Sequence, residues 1–187
     1  FSFKDPFDTK DMRTRAGGDA RYDIDFPARD HVLVEQLRNK GAIIFAKAVN
    51  TEYNGIPADP GGRHEPDKVL LSDLGYQRSS WAGNPHTVYD STRAASLGSS
   101  SGSGASVSAN LVMCSICEET SMSCRGPANH NGVALILPQK ALISFLGNAI
   151  GADIYNDRAG IVCRNITDAA RVLDALKDPV DGYYDRR

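Results

Sequence analysis

Two stretches of the chain carry apolar residues at the spacing of an amphipathic helix. Residues 30–40, DHVLVEQLRNK, predict a helix with Asp30 as its N-cap and Gly41 at a left-handed stop. Residues 165–178, NITDAARVLDALKD, have a comparable apolar face, with Thr167 as the predicted N-cap. We expect both helices to pack these faces on a common core.

Two short apolar runs between turn-forming residues predict strands. AIIFAKAV, residues 42–49, follows the first helix and is typical of a buried strand. GVALILP, residues 132–138, predicts a second strand that ends at Pro138, because proline cannot donate to a sheet ladder. The alternation of helices and strands favours an α/β fold.

Proline and glycine concentrate between residues 54 and 68. Neither residue sustains a sheet ladder or the interior of a helix, so this stretch predicts a surface loop or insertion. No internal repeat with a period of 20 to 50 residues is visible.

Composition narrows the classes of function. The chain has 187 residues, of which 41% are hydrophobic, so it can bury a core. Its formal net charge is −2, and no basic cluster alternates with aromatic residues, which argues against nucleic-acid binding. The apolar runs fall short of the ~20 residues of a membrane helix, and no secretory signal is visible. We therefore expect a cytoplasmic protein that does not bind membranes.

Three of the four cysteines, Cys114, Cys117 and Cys124, lie close together in the sequence. With His130 they could form a zinc site, but no second C-x-x-C or H-x-x-x-H motif completes the set. The favoured interpretation is that they are small, half-buried free thiols in a reducing compartment.

A serine- and glycine-rich segment, LGSSSGSGASVSANLV, spans residues 97–112. It could be a flexible linker, a phosphate-binding loop or part of an active site. The glycine spacing fits neither G-x-x-x-x-G-K-[ST] nor G-x-G-x-x-G, and apolar residues follow at once, which makes a linker the weaker alternative.

The same segment resembles the Gly/Ser-rich core of the amidase signature family. The second serine motif of that family, GTDTGGS-x-R-x-P, corresponds to CEETSMSCRGP at residues 117–127, with Glu119 in place of Asp. The separation of 24 residues between Ser99 and Ser123 also matches the family spacing.

Three further blocks carry the resemblance. Lys4 begins a K-D-x-x-D pattern like that of the family's lysine motif. Residues 32–53 resemble the helix–strand unit that follows this lysine, and GIVCRNITDAARVLDAL at residues 160–176 resembles GPMARTVADAALLLDAL. The blocks occur in the family's order, so the chain is identified as a member.

Membership implies a three-layer α/β/α fold around a mixed, twisted sheet. Residues 1–187 would form the core of such an enzyme, apparently truncated at both ends. The implied activity is hydrolysis of a C–N amide bond in a small-molecule substrate, with neither a metal nor an organic cofactor. The protein could also form a homodimer or a larger assembly.

The resemblance also assigns a catalytic set. Ser123 would be the nucleophile that forms the acyl-enzyme, Ser99 the proton bridge and Lys4 the base. Lys4 must be buried to become neutral, and the neighbouring phenylalanines are compatible with burial. In the family, the bond between Gly98 and the bridging serine is a cis peptide.

The backbone N–H groups from Thr120 to Ser123 would form the oxyanion hole. Here Ser121 and Met122 replace the two glycines of the family motif. The alternative function is therefore a catalytically impaired scaffold or binding subunit with the amidase fold.

Other polar residues receive structural interpretations. We expect Arg125 to form an ion pair with Glu118 or Glu119 rather than to bind substrate. The histidines are expected to be solvated or structural, with His31 in the first turn of a helix; the others are His64, His86 and His130.

Overall fold

The computed structural model describes residues 1–18, 26–55, 79–83, 85–94, 98–140, 142–145, 148 and 157–177. The predicted loop at 54–68 has only its first two residues in these ranges, as the end of a 3-10 helix at Glu52–Gly55. Its remaining residues, including His64, lie outside the described part of the chain.

A five-stranded mixed sheet organises the fold, in the order β2-β1-β5-β7-β6. Strand β1 pairs in parallel with β2 and β5, whereas β7 pairs antiparallel with β5 and β6. The strands are β1 (Ser2–Lys4), β2 (Ala46–Ala48), β5 (Cys114–Glu119), β6 (Ala134–Ile136) and β7 (Arg158–Cys163). A separate hairpin comprises β3 (His86–Thr87) and β4 (Asp90–Ala94).

Helices cover both faces of this sheet. On β7, Ile161 belongs to one apolar cluster and Val162 to another, because successive strand residues point to opposite faces. The first cluster includes residues of α1 (Val32–Asn39) and α4 (Ile166–Leu176), and the second includes Val107 of α2 (Ser101–Ser108). A short helix, α3 (Arg125–His130), contacts α2 and β6. The predicted three-layer α/β/α arrangement with a mixed sheet is confirmed.

Helix α1 forms where the sequence predicts it, but its N-cap is different. His31 is the cap, and its Nδ1 accepts a hydrogen bond from the N–H of Leu33. Asp30 instead accepts a hydrogen bond from the N–H of Lys10 and lies 3.6 Å from Arg38 Nε. Gly41 does adopt the predicted left-handed conformation, with a φ of +82°.

The predicted strand at residues 42–49 is much shorter than expected. Only Ala46–Ala48 is extended, at the edge of the described sheet, and Ile43 and Phe45 are 78% and 68% exposed. The expectation of a buried strand is therefore wrong over its first half, and within β2 only Ala48 is buried. The strand predicted at 132–138 is also shortened, to β6.

Helix α4 is capped by Asn165 rather than by Thr167. The Asn165 side chain accepts a hydrogen bond from the N–H of Asp168, as an N-cap does. Ala169, Val172 and Leu176 bury the predicted apolar face.

All four cysteines form disulfides: Cys114 with Cys163, and Cys117 with Cys124. The expectation of free thiols is wrong, and the zinc alternative fails with it because a disulfide sulfur cannot supply a thiolate ligand. Within the described ranges, no group of three or more His, Cys, Asp or Glu side chains could hold a metal ion. No helix of the described chain has both the length and the apolar character needed to cross a membrane.

Candidate active site

Lys4 lies at the carboxyl end of β1 and is fully buried. Its side chain leaves a strand flanked by Phe3 and Phe7, both 0% exposed. The Nζ of Lys4 donates one hydrogen bond to Ser99 Oγ at 2.7 Å and another to Glu118 Oε2 at 2.7 Å. The predicted lysine–serine contact is therefore present, between two side chains that are almost completely buried.

Burial and charge act in opposite directions on Lys4. Desolvation lowers the pKa of Lys4 below its ordinary value, because a buried ammonium loses its hydration. The carboxylates of Glu118, Asp157 and Glu119 raise the same pKa, and the effect of burial is the larger.

Ser99 is held just before α2 by its backbone. Its carbonyl accepts a hydrogen bond from the N–H of Thr51, and the N–H of Gly102 donates to the carbonyl of Val49. A Cβ on Gly102 would lie 2.6 Å from both the backbone N and O of Val49. Glycine at this position lets α2 approach the chain that follows β2. The serine- and glycine-rich segment is thus a tightly packed helix start and not a linker.

The second serine segment is joined to the first by one backbone hydrogen bond. The N–H of Ser100 donates to the carbonyl of Ser123 at 3.0 Å. Gly98 is also close to this loop, because a Cβ built on it would lie 3.1 Å from Ser123 Cα. The hydroxyls of Ser99 and Ser123 are not hydrogen-bonded to each other, so the structure unites Lys4 with Ser99 and places the backbone of Ser123 against Gly98 and Ser100.

The peptide bond between Gly98 and Ser99 is trans, since the described residues contain no cis peptide bond. The expectation of a cis bond is therefore not met.

Glu119 fixes the loop that carries Ser123. This carboxylate is fully buried and accepts hydrogen bonds from the backbone N–H groups of Cys124 and Arg125, at 3.1 and 3.0 Å. It also forms an ion pair with Arg125 Nε at 2.8 Å. The predicted structural pairing of Arg125 is confirmed, with Glu119 as its partner.

The backbone N–H groups of the predicted oxyanion loop take no part in holding the loop together. Within the described chain, the N–H groups of Thr120, Ser121, Met122 and Ser123 donate to no acceptor. The side chains that replace glycine point outward, with Met122 46% exposed and Ser121 also exposed. The Thr120 hydroxyl donates to Asp157, and the carbonyl of Ser121 accepts from Arg125. The loop is therefore anchored by side chains and carbonyls while its N–H groups face no partner.

Sequence reasoning missed two polar members of this site. Glu118 contacts Lys4, and Asn54 Nδ2 donates to both carboxylate oxygens of Glu118 at 2.9 Å. Asn54 has a φ of +62°, a left-handed conformation that asparagine tolerates better than most residues. The Asn54-Gly55 dipeptide is a turn signal that could have drawn attention to this position.

The remaining predicted histidines behave differently from one another. His86 and His130 are exposed, as expected. His31 is buried against the ring of Phe7, with ring centroids 4.8 Å apart, and burial lowers its pKa to about 3. It caps α1 instead of lying in its first turn.

A comparison with family models matches residues 1–186 to the amidase family. A probable amidase from Arabidopsis thaliana is 33% identical over 180 residues, which are 95% of this chain and 32% of that protein. A putative amidase from Schizosaccharomyces pombe is 32% identical over 200 residues, which are 98% of this chain and 32% of that protein.

Among solved structures, the peptide amidase of Stenotrophomonas maltophilia superimposes with a TM-score of 0.70 and 31% identity. The match covers 96% of this chain and 34% of the peptide amidase. The chain thus spans about a third of the length of these relatives.

Proposed function

The chain belongs to the amidase family, and on that premise we propose that the protein hydrolyses a C–N amide bond through an acyl-enzyme on Ser123. Lys4 is the base, and Ser99 carries the proton between Lys4 and Ser123. The substrate is a small molecule with a carboxamide group.

The hydrogen bond between Lys4 Nζ and Ser99 Oγ carries this proposal. A lysine is a useful base only when it can lose its proton, and complete burial lowers the pKa of Lys4 in the required direction. The bond joins two residues 95 positions apart in the sequence, so it depends on the fold and not on a local turn.

The proposed reaction begins with neutral Lys4. Ser99 gives its hydroxyl proton to Lys4 and takes the proton of Ser123, whose oxygen attacks the carbonyl carbon of the amide. The proton then returns along the same path to the leaving nitrogen as the C–N bond breaks, and water hydrolyses the acyl-enzyme. The Ser99 and Ser123 hydroxyls must approach each other for this step, and catalytic contacts are often longer without substrate.

The negative oxygen of the tetrahedral intermediate would be stabilised by the unpaired N–H groups between Thr120 and Ser123. Their carbonyl and side-chain anchors hold the loop before substrate arrives, so the backbone N–H donors themselves need little reorganisation. Replacement of the two glycines by Ser121 and Met122 leaves these backbone donors available, because both side chains are exposed.

A small fluorophosphonate probe tests the proposal. It should label Ser123 covalently, as mapped by peptide mass spectrometry, and labelling should disappear in S123A. The matched control is S108A in α2, which removes a hydroxyl without a hydrogen-bond partner and should label at the wild-type rate. A parallel assay should follow ammonia or amine release from a panel of primary and secondary amides.

Two results would redirect the assignment. Absence of labelling in a folded protein would favour the scaffold or binding subunit, the alternative suggested by the replacement of the two family glycines with Ser121 and Met122. Labelling that persists in S123A would place the nucleophile elsewhere.

Partners and location stay predictions. A homodimer or larger assembly can be checked by light scattering of the purified protein. The sequence predicts a cytoplasmic location, whereas the two disulfides are of a kind more common in proteins of oxidising compartments. Cell fractionation distinguishes the two locations.

A further inference from the structure

Glu118 occupies a position that the proposed relay does not explain. The family motif GTDTGGS has threonine there, whereas this chain has a carboxylate whose oxygen lies 2.7 Å from Lys4 Nζ. The two side chains are 0% and 2% exposed, so the ion pair is almost completely shielded from water.

We propose that Glu118 holds the proton on Lys4 through this buried ion pair and thereby sets the pH above which Lys4 serves as the base for Ser99. The inference rests on the proposed function, because it assigns a proton-holding role next to the proposed base. Glu118 is a positioning residue, since it acts through Lys4 and not on the substrate.

The charges around Lys4 single out Glu118. Three carboxylates act on the ammonium from two elements: Glu118 and Glu119 from β5, and Asp157 just before β7. Glu119 lies against Arg125, at 2.8 Å, and against Arg158, at 3.5 Å. Asp157 accepts a hydrogen bond from Thr120. Among the carboxylates of the described residues, only that of Glu118 forms an ion pair with Lys4 Nζ.

Glu118 is itself held in position from two sides. Asn54 donates to its carboxylate, and the Ser100 hydroxyl both donates to its carbonyl, at 3.1 Å, and accepts from its N–H, at 3.4 Å. Ser100 thus holds the backbone of Glu118, and Asn54 holds its carboxylate. The carboxylate cannot turn away from Lys4 without breaking its hydrogen bonds with Asn54.

Lys4 must lose a proton before it can act as the base. In the ion pair, Lys4 carries three protons and donates toward both Ser99 and Glu118, so it cannot accept the Ser99 proton. One proton must first pass to water or hydroxide, which leaves a neutral amine beside the Glu118 carboxylate. The carboxylate attracts the ammonium and has no such attraction for the amine, so it opposes this loss.

Two variants test the inference. E118Q keeps the size and the hydrogen-bonding capacity of the side chain without the charge, and E118T restores the family's residue. In both, the pH at which fluorophosphonate labelling of Ser123 rises should move down by about one unit, so that labelling at a pH below both midpoints is about tenfold faster than in the wild type. E35Q is the control, since Glu35 is an exposed carboxylate on α1, and it should leave the pH profile unchanged.

A second measurement reports on Lys4 without requiring activity. Lysine labelled with carbon-13 at Cε gives an NMR signal that follows protonation, and K4R identifies the Lys4 signal by its loss. The midpoint of this signal should fall in E118Q and E118T and stay constant in E35Q, with circular dichroism confirming that each variant is folded.

The Lys4 NMR midpoint and the pH profile of Ser123 labelling together distinguish failure of the Glu118 inference from failure of the proposed acyl transfer. If the Lys4 midpoint and the labelling profile stay in place in both variants, or if labelling merely slows at every pH, Glu118 is structural and the inference is overturned. If the Lys4 midpoint falls but Ser123 is never labelled at any pH, the proton-holding role stands and the proposed acyl transfer falls.

Discussion

Substitution of Gly102 by alanine should loosen the packing of α2 and slow the acyl transfer that we propose at Ser123. The new Cβ would lie 2.6 Å from the backbone N and O of Val49, whereas ordinary contact begins at 3.4 Å, so α2 must withdraw by about 0.8 Å. The 2.9 Å hydrogen bond from Gly102 to Val49 would weaken in the same movement. Ser99 lies three residues earlier, so its contact with Lys4 would be displaced as well.

The expected free-energy change combines opposing contributions. Overpacking against backbone costs about 1–3 kcal/mol, and loss of the hydrogen bond costs about 1 kcal/mol. Alanine is the better helix former by up to ~1 kcal/mol. The net expectation is destabilisation by about 1–3 kcal/mol, in the opposite direction to that given by helix propensity alone.

Denaturant unfolding followed by circular dichroism measures the stability of G102A, and fluorophosphonate labelling measures the reactivity of Ser123. The S108A variant lies in the same helix and should change neither quantity by more than about 0.5 kcal/mol or its kinetic equivalent. A G102A protein that is more stable than wild type and labels at the wild-type rate would refute the argument that close approach of α2 positions Ser99.

Three other outcomes follow from buried groups. Burial lowers the pKa of His31 to about 3, so between about pH 6.5 and pH 3 the unfolded chain binds a proton that the folded chain does not, and the free energy of unfolding should fall by up to about 1.4 kcal/mol per pH unit as the pH drops. H31N retains a capping side chain and should remove this slope in denaturant titrations. An unchanged slope would assign the pH dependence to other groups. E119Q removes the charge that pairs with Arg125 and should slow Ser123 labelling, while the midpoint of the Lys4 NMR titration should move less than in E118Q. Labelling of E119Q at the wild-type rate would show that the loop does not need this ion pair. The C117A/C124A double variant should lose about 2–3 kcal/mol of unfolding free energy for a closed loop of this length, and equal stability by chemical denaturation would contradict that contribution.

The sequence predicts local elements well where their signals are local. The bounds of α1 and α4 follow from apolar spacing, but their caps do not, because the choice between neighbouring polar side chains depends on distant partners. Asp30 has Lys10 and Arg38 within reach, and this leaves the N-cap position of α1 to His31. At α4, Asn165 rather than Thr167 takes the corresponding role.

The candidate site depends on contacts between distant parts of the chain. Lys4 and Ser99 are brought together by the pairing of β1 with β2 and by the hydrogen bonds that hold Ser99 and Gly102 against the chain after β2. The resemblance to a family, not residue spacing, identified them. The Lys4–Glu118 pair spans 114 positions and has no local signature. The pairing of Cys114 with Cys163 likewise depends on sheet register, which places these two residues opposite each other on β5 and β7.

Two residues of β5 form disulfides with other parts of the fold. Cys114 is bonded to Cys163 of the neighbouring strand β7, and Cys117 is bonded to Cys124 in the loop that follows β5. Glu118 and Glu119 follow directly, so the acidic half of the site sits on a segment held by two sulfur bridges. All four cysteines are 0% exposed, so dithiothreitol in a purification buffer would reduce these bridges only in molecules that open transiently. Samples prepared with and without it are comparable only after their thiols have been titrated.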